Sequence, residues 1–308
     1  MPIKRKDLLG LRGADAGLIA EILSTAADMK RIMHAPERKS NLLSGKSVVT
    51  LFYENSTRTR TSFETAAKLL SAMTTGIAAS SSSVQKGESL IDTGHTLERI
   101  GADYIVIRHP VSGAAKLLAE HVKASVINAG DGTNEHPTQA LLDMYTMKER
   151  FGDLKGLRVA IVGDILHSRV ARSNLWGLTA MGAHVTLAGP GTLLPVELEQ
   201  AGAKVTTDVR SAVRDADVVM PLRIQKERQQ AGLIPSIREY AKFYGIDGGV
   251  LALAKPNALV MHPGPINRGV EIAGSVADGP ASVINDQVEN GVAVRMALLT
   301  LLSGGSAQ

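Results

Sequence analysis

Three hydroxyls and two guanidinium groups fall in five consecutive residues, Ser56-Thr57-Arg58-Thr59-Arg60. Together they offer hydrogen-bond donors and positive charge, the chemistry that holds an oxyanion, most simply a phosphate. The flanking elements suit that use. Ser47-Val48-Val49-Thr50-Leu51-Phe52-Tyr53 is rich in β-branched and aromatic residues and reads as a buried strand. Phe63, Ala66, Ala67 and Leu70 follow at helical spacing. The cluster therefore sits at a strand-to-helix turn, with Ser56 or Thr57 as the cap and Arg58 in the first turn. Free backbone N–H groups and the positive end of the helix dipole point outward there. The same residues also make an ordinary Ser/Thr cap followed by solvated arginines, and the stretch alone supports both readings. It is not a glycine-rich phosphate loop, since GxxxxGK[ST] occurs nowhere in the chain.

The other polar clusters also follow apolar, strand-like runs. Tyr104–Ile107 runs into Arg108-His109-Pro110. Ser125–Asn128 leads through a Gly-containing loop to His136-Pro137-Thr138-Gln139, where Pro137 suits the first turn of a helix over 140–150. Leu157–Val162 ends at Gly163-Asp164, and His167-Ser168-Arg169 opens a helix reaching about residue 181. Strands at 217–220 and 259–261 precede Leu222-Arg223-Ile224-Gln225-Lys226-Glu227-Arg228 and His262-Pro263-Gly264-Pro265. Further helices are expected over 15–33, 89–100, 113–122, 195–200 and 282–302, and short strands over 75–79, 185–188 and 204–206. Ser80–Ser89 reads as a polar, solvated loop. The pattern restarts near Gly152–Gly156, so the expected class is α/β with two domains, each a parallel sheet flanked by helices. Their boundary falls near residue 150: residues 1–150, then 151–281, with a C-terminal helix over 282–308 returning to the first domain. Ligands in open α/β sheets bind at the carboxyl ends of the strands, so these clusters are expected to face a common cleft.

Composition narrows the function classes. Of 308 residues, 44% are hydrophobic and 21% charged, enough for two globular cores. The net charge of +4 is dispersed and aromatics are only 3%, which suits small anionic ligands better than nucleic acid. With no cysteine, disulfides, thiolate nucleophiles and Cys-ligated metals are excluded, which fits a cytoplasmic protein. The basic Met1–Lys6 and the short Leu8-Leu9-Gly10-Leu11 run, cut by Arg12, predict no signal-peptide core, and no apolar run is long enough to span a membrane. The eight histidines show no HExxH-like spacing, and the turn after residue 162 is not GxGxxG, so neither a metal nor a dinucleotide is expected.

Taken together, Ser56-Thr57-Arg58-Thr59-Arg60, Arg108-His109-Pro110, His136-Pro137-Thr138-Gln139 and His262-Pro263-Gly264-Pro265 resemble the aspartate/ornithine carbamoyltransferase family. The resemblance covers nearly the whole chain, in order. It implies a carbamoyl phosphate-binding domain, an amino-acid-binding domain and a site between them, with no cofactor and no metal. It further implies a homotrimer with shared active sites, with regulatory chains or a dihydroorotase as possible partners. The reaction implied is transfer of the carbamoyl group of carbamoyl phosphate to L-aspartate, an early step of pyrimidine biosynthesis. By resemblance, Ser56, Thr57, Arg58, Thr59 and Arg108 hold carbamoyl phosphate. His136 donates to the carbamoyl carbonyl oxygen, while Gln139 and the backbone of Pro263 and Gly264 take the NH₂. Ser82 and Lys86 match a loop that enters a neighbouring subunit's site, where Lys86 also meets aspartate; Gln85 stands where some members carry a second basic residue. Arg58, Arg108, His136 and Lys86 are the catalytic set. Arg169, Arg223, Gln225, Gly264 and Pro265 resemble the aspartate-binding set, and two arginines suit a dicarboxylate. Glu54 resembles the carboxylate that pairs with Arg169 and Arg228 when the domains close.

Two other readings make different demands on the sequence. An ornithine-specific member needs carboxylates for a cationic substrate, typically an Asp…Ser-Met-Gly motif and a His-Cys-Leu-Pro turn. This chain has Arg223, Gln225 and His262-Pro263-Gly264-Pro265 in those places. A non-catalytic binding or scaffold relative would have lost a catalytic position, yet Arg58, Lys86, His136 and Arg223 are all present.

Overall fold

The computed structural model describes residues 5–78, 87–225 and 232–302. By backbone contacts these divide into one unit of Met1–Tyr145 with Val288–Gln308 and a second of Thr146–Gln287.

In the first unit, β1 (Ser47–Phe52), β2 (Met73–Ala78), β3 (Tyr104–His109) and β4 (Ser125–Asp131) form a parallel sheet in the order β2-β1-β3-β4. Helices α1 (Ala16–His34), α2 (Thr57–Leu69), α3 (Leu90–Ile100), α4 (Ala114–His121) and α5 (Pro137–Phe151) accompany it. The central strands are buried on both faces. Val49, Leu51, Ile105, Ile107 and Val126 pack with Leu97 of α3, Leu118 of α4 and Val122 just after it, which is why these strands read as continuous apolar runs. The last helix, α11 (Ile284–Leu302), supplies residues 288–302 to this unit. Leu299 accepts a 3.1 Å hydrogen bond from the Tyr104 hydroxyl, and Asn290 a 2.8 Å bond from Lys30 Nζ on α1.

In the second unit, β5 (Arg158–Val162), β6 (His184–Ala188), β7 (Lys204–Thr206), β8 (Val218–Pro221) and β9 (Leu259–Val260) form a parallel sheet in the order β7-β6-β5-β8-β9. Its helices are α6 (Arg169–Ala180), α7 (Val209–Val213), α8 (Ile237–Tyr244), α9 (Gly248–Leu251) and α10 (Gly274–Ala277). Ala160, Val162, Val213, Val219, Val260, Ile246 and Ile272 form part of its core. Gly163 ends β5 at φ +140°, and a Cβ there would lie 2.6 Å from the Leu222 carbonyl oxygen, so only glycine lets the strand end pass this segment.

Two α/β units with parallel sheets are therefore what the alternating pattern predicts. The helix expected over 195–200 is instead a 3₁₀ turn at Val196–Ala201. Pro195 precedes it and Gly202, left-handed at φ 90°, ends it, leaving too few residues for a stable α-helix. Helices α7 and α8 were not expected; α7 is too short for a clear apolar period, whereas α8 carries Ile237, Tyr240, Ala241 and Tyr244 at helical spacing, a signal the sequence did offer. No described helix is long and apolar enough to cross a membrane.

Candidate functional site

In the first unit, the polar residues lie at the carboxyl ends of β1, β3 and β4. Ser56 caps α2 with extended backbone (φ −158°), and its side chain makes no capping hydrogen bond. Thr57 and Arg58 are exposed, while Thr59 is buried. Arg60 turns away from this mouth: its Nε lies 2.9 Å from Glu64 Oε1, which also accepts from the Thr50 hydroxyl. The β1–α2 turn is fixed beside β3 by a 2.8 Å bond from Tyr53 N–H to the Arg108 carbonyl, and by the Tyr53 and His109 rings, whose centroids are 4.5 Å apart. Arg108 Nε lies 3.3 Å from Glu54 Oε2, and its Nη1 3.4 Å from the Ala129 carbonyl. Within this unit, Glu54 thus holds the arginine expected to meet carbamoyl phosphate. Burial lowers the His109 imidazole below its ordinary value, against the opposing pull of Glu54 and Asp131.

Asp131 organises the β4–α5 loop. Its carboxylate accepts from Gly113 N–H at 2.7 Å, Asn128 Nδ2 at 2.7 Å and Glu135 N–H at 3.2 Å. Glu135 in turn accepts from the N–H groups of Leu11 and Arg12. The result is a rigid approach to His136, whose carbonyl starts α5 while Pro137 takes the first helical position, where its missing N–H costs nothing. The Thr138 hydroxyl lies 3.5 Å from His136 Nδ1; a proton donated along that contact leaves the ring's own proton on Nε2. Gln139 is almost buried, and its Nε2 donates 2.9 Å to Asp143.

In the second unit, Asp164, whose side chain is fully buried, ties together two segments that carry basic residues. Its Oδ1 accepts from the His167 backbone at 3.2 Å and contacts the His167 ring at 2.8 Å, and its Oδ2 accepts from Gln225 N–H at 3.1 Å. This joins the loop before α6 to the segment after β8. Ser168 caps α6 through Ala171 N–H, which sets Arg169, 3% exposed, as the first helical residue. Arg223 Nη2 lies 3.2 Å from Gln225 Oε1, and Nη1 bonds the Ile224 carbonyl, so its guanidinium is held in place. Arg172, absent from the sequence-derived set, is half-buried, and burial lowers its pKa.

The His262–Pro265 turn rests on buried groups as well. His262 N–H donates to Gln287, and Gly264 N–H donates 2.8 Å to His262 Nδ1, which places the ring proton on Nε2. That nitrogen lies 3.2 Å from Glu271 Oε1, a charge–dipole approach rather than a well-aligned hydrogen bond. Gly264 has φ 65°, which favours glycine, and the Gly264–Pro265 peptide is cis. Burial, with Glu271 and Asp164 nearby, raises the Tyr240 phenol well above its ordinary value.

The first unit therefore brings Ser56–Thr59, Arg108, His136 and Gln139 to neighbouring strand ends; in the second, Arg223 and Gln225 are bonded to each other and Gln225 N–H to Asp164, while Arg169 opens α6 just after the loop that Asp164 holds. Ser82, Lys86 and Arg228 lie outside the described residues. Sequence reasoning missed the buried acids Asp131, Asp143, Asp164 and Glu271; the available signal was an acid beside or one helical turn from a basic or amide motif. Among the described residues, no group of three or more His, Asp or Glu could hold a metal ion.

Two family models match the chain. The carbamoyl-P binding domain of aspartate/ornithine carbamoyltransferase matches residues 6–149, and the Asp/Orn binding domain matches residues 155–302. The chain is 63% identical over 303 residues to the aspartate carbamoyltransferase catalytic subunit of Ruminiclostridium cellulolyticum, covering 98% of this chain and 97% of that one. The corresponding subunit of Acetivibrio thermocellus is also 63% identical, with the same coverage. Among solved structures, the ornithine carbamoyltransferase of Pyrococcus furiosus superposes with a TM-score of 0.88 at 32% identity, over 99% of both chains. The Trypanosoma cruzi aspartate transcarbamoylase in complex with carbamoyl aspartate and phosphate gives 0.88 at 31% identity, over 97% of both chains.

Proposed function

The chain belongs to the aspartate/ornithine carbamoyltransferase family, and from that premise we propose that it transfers the carbamoyl group of carbamoyl phosphate to the amine of L-aspartate. The products are N-carbamoyl-L-aspartate and phosphate. Fold does not choose the amino acid, since an ornithine enzyme and an aspartate enzyme superpose on this chain equally well. The observation that carries the choice is Arg223, its guanidinium fixed by Gln225 and the Ile224 carbonyl. A held guanidinium there grips a carboxylate and repels a cationic side chain. The 63% identity to two aspartate-using relatives supports the same choice.

We assign Ser56, Thr57, Arg58 and Thr59 to the phosphate, and Arg108 to the phosphate and carbonyl. His136 Nε2–H donates to the carbonyl oxygen, and Gln139 with the Pro263 and Gly264 carbonyls receives the NH₂. Arg169, Arg223, Gln225, Gly264 and Pro265 take aspartate. Ser82 and Lys86 enter from a neighbouring subunit of a homotrimer, and Glu54 pairs with Arg169 and Arg228 only while both substrates are bound. The aspartate amine attacks the carbonyl carbon, charge gathers on the oxygen facing His136 and Arg108, and the carbon–oxygen bond to phosphate breaks as the carbonyl re-forms. The leaving phosphate takes the amine's proton. Orientation and fixed charge carry most of the acceleration. The reaction stands early in pyrimidine biosynthesis and is assigned to the cytoplasm, where regulatory chains or a dihydroorotase are possible partners. Offering aspartate and ornithine side by side to purified protein with carbamoyl phosphate tests the reading. Carbamoyl aspartate is expected, and turnover of ornithine alone refutes it.

A further inference from the structure

Gln139 carries a chemical ambiguity that its surroundings remove. A side-chain amide has a carbonyl face that accepts and an NH₂ face that donates, and the two have nearly the same shape. The NH₂ of a carbamoyl group needs an acceptor, so only one orientation of Gln139 serves it. Here Nε2 donates 2.9 Å to Asp143 Oδ1, which sends Oε1 the other way. An ionised carboxylate can only accept, so it selects that orientation, whereas a protonated acid or an amide could bond either face.

Asp143 is fully buried one helical turn along α5. A buried carboxylate keeps its charge when an opposite charge lies close. Arg295 on α11 is almost completely buried, and Asp143 is the charge that acts on it. Burial lowers the guanidinium to about 10, so it remains a cation at neutral pH. Its position is built in. Its Cζ lies 5.1 Å from the centre of the Phe63 ring, on the same α2 that opens at Ser56. At Gly291, a Cβ would lie 2.5 Å from Arg295 Nη1 and 3.2 Å from Leu142 Cδ2, so the absent side chain leaves the room that the guanidinium occupies beside α5.

We propose that Asp143 and Arg295 are positioning residues that lock the Gln139 amide with its carbonyl toward the substrate, and so make the site select a carbamoyl group over an acyl group of the same shape. This rests on the assignment of Gln139 to the carbamoyl NH₂. The phosphate contacts on α2 are separate, so the effect falls on the carbamoyl end alone.

Acetyl phosphate, with a methyl in place of the NH₂, is the probe. In intact protein, the ratio of the acetyl phosphate inhibition constant to the carbamoyl phosphate KM is measured, with inorganic phosphate inhibition as the control. A neutral hydrogen bond of this kind sets the ratio at on the order of tenfold. Asp143→Asn and Arg295→Met are expected to shrink it toward unity while the phosphate constant stays within about twofold. Arg295→Lys, which keeps a cation, is expected to retain most of it. If Gln139→Met collapses the ratio but Asp143→Asn preserves it, the lock is wrong and the Gln139 assignment stands. If Gln139→Met also preserves it, that assignment fails and the lock with it. Equal weakening of all three ligands in folded variants would show a general scaffold and overturn the proposal. Should Arg295→Met fail to fold, Asp143→Asn decides alone.

Discussion

Replacing Asp164 with asparagine changes no volume and removes one charge, yet it should weaken aspartate binding and leave phosphate binding alone. The reason is a donor count. Asp164 Oδ1 accepts from the His167 N–H and contacts its ring, and Oδ2 accepts from the Gln225 N–H. Asparagine has one acceptor oxygen and one NH₂. If the NH₂ faces Gln225, the Gln225 N–H meets a donor. If it faces His167, the ring can change tautomer and accept, but the His167 N–H cannot. Either way one backbone N–H around a fully buried side chain loses its partner. An orphaned buried donor costs about 1–3 kcal/mol. The segment after β8 can relieve that cost by moving away, and Gln225 then carries Arg223 with it, since the two side chains are bonded at 3.2 Å. Taken up in the aspartate pocket, the same 1–3 kcal/mol is roughly 5- to 150-fold in affinity. Steady-state kinetics at saturating carbamoyl phosphate should show the aspartate KM raised within that range, while inhibition by inorganic phosphate stays within about twofold. An aspartate KM within twofold of the parent, in a variant of native circular dichroism, would refute the reasoning. So would an equal loss of phosphate binding, because Asp164 belongs to the unit without the residues proposed for the phosphate.

Three further expectations concern other residues. Arg58→Ala should abolish use of carbamoyl phosphate while the thermal midpoint barely moves, because Arg58 is exposed in the first turn of α2; near-normal activity would sink the phosphate assignment. Mixing Lys86→Ala chains with Arg58→Ala chains should restore part of the activity, since in the proposed trimer some sites then pair the intact Arg58 of a Lys86→Ala chain with the intact Lys86 of an Arg58→Ala neighbour; no recovery despite demonstrated subunit exchange would place Lys86 elsewhere. Folding lowers the His109 pKa from 6.5, so the unfolded chain binds its proton first as pH falls. The stability held above about pH 6.5 should therefore drain away as pH drops through that value and level off below the folded-state pKa. His109→Gln should flatten the thermal midpoint between pH 7 and 5, and an unchanged slope would count against burial as the cause.

The residues assigned to substrates were legible because each stands in a contiguous motif where a strand passes into a helix. The apolar runs before Glu54, Arg108, His136, Arg169, Arg223 and His262 fix where each strand stops, and the parallel pattern then sends every motif to the same end of its sheet. Local sequence carried that much. The supporting acids were not legible, because an aspartate in a helix reads as solvated unless its partner is known. Asp143 becomes intelligible only through its charge on Arg295, which arrives from the far end of the chain on α11. Glu271 matters because the chain returns to place it 3.2 Å from His262. Short elements were lost for another reason. Val209–Val213 is too brief to show a period, Ile237–Tyr244 shows one over only two turns, and the Val196–Ala201 segment is closed off by Pro195 and Gly202.

The buried acids also explain how, within each unit taken by itself, the basic cluster proposed for the substrates can be held before any anion arrives. Unpaired cations facing one another would splay apart, and long Arg side chains lose rotamer entropy when fixed. This chain meets both demands with buried carboxylates that mostly grip backbone. Asp131 takes the N–H groups of Gly113 and Glu135, Asp164 those of His167 and Gln225, and Glu271 that of Asn267 beside the His262 turn. Charge-assisted bonds to backbone N–H are stronger than neutral ones and hold loops rather than side-chain tips. The cationic and amide side chains then project from backbone that is already set. Where an acid does touch a side chain of the site, it orients the group, as Glu54 does for Arg108 and Asp143 for Gln139. Substitution of the acids should therefore alter which ligand is chosen and how well it is aligned, whereas substitution of the arginines should alter whether it binds at all.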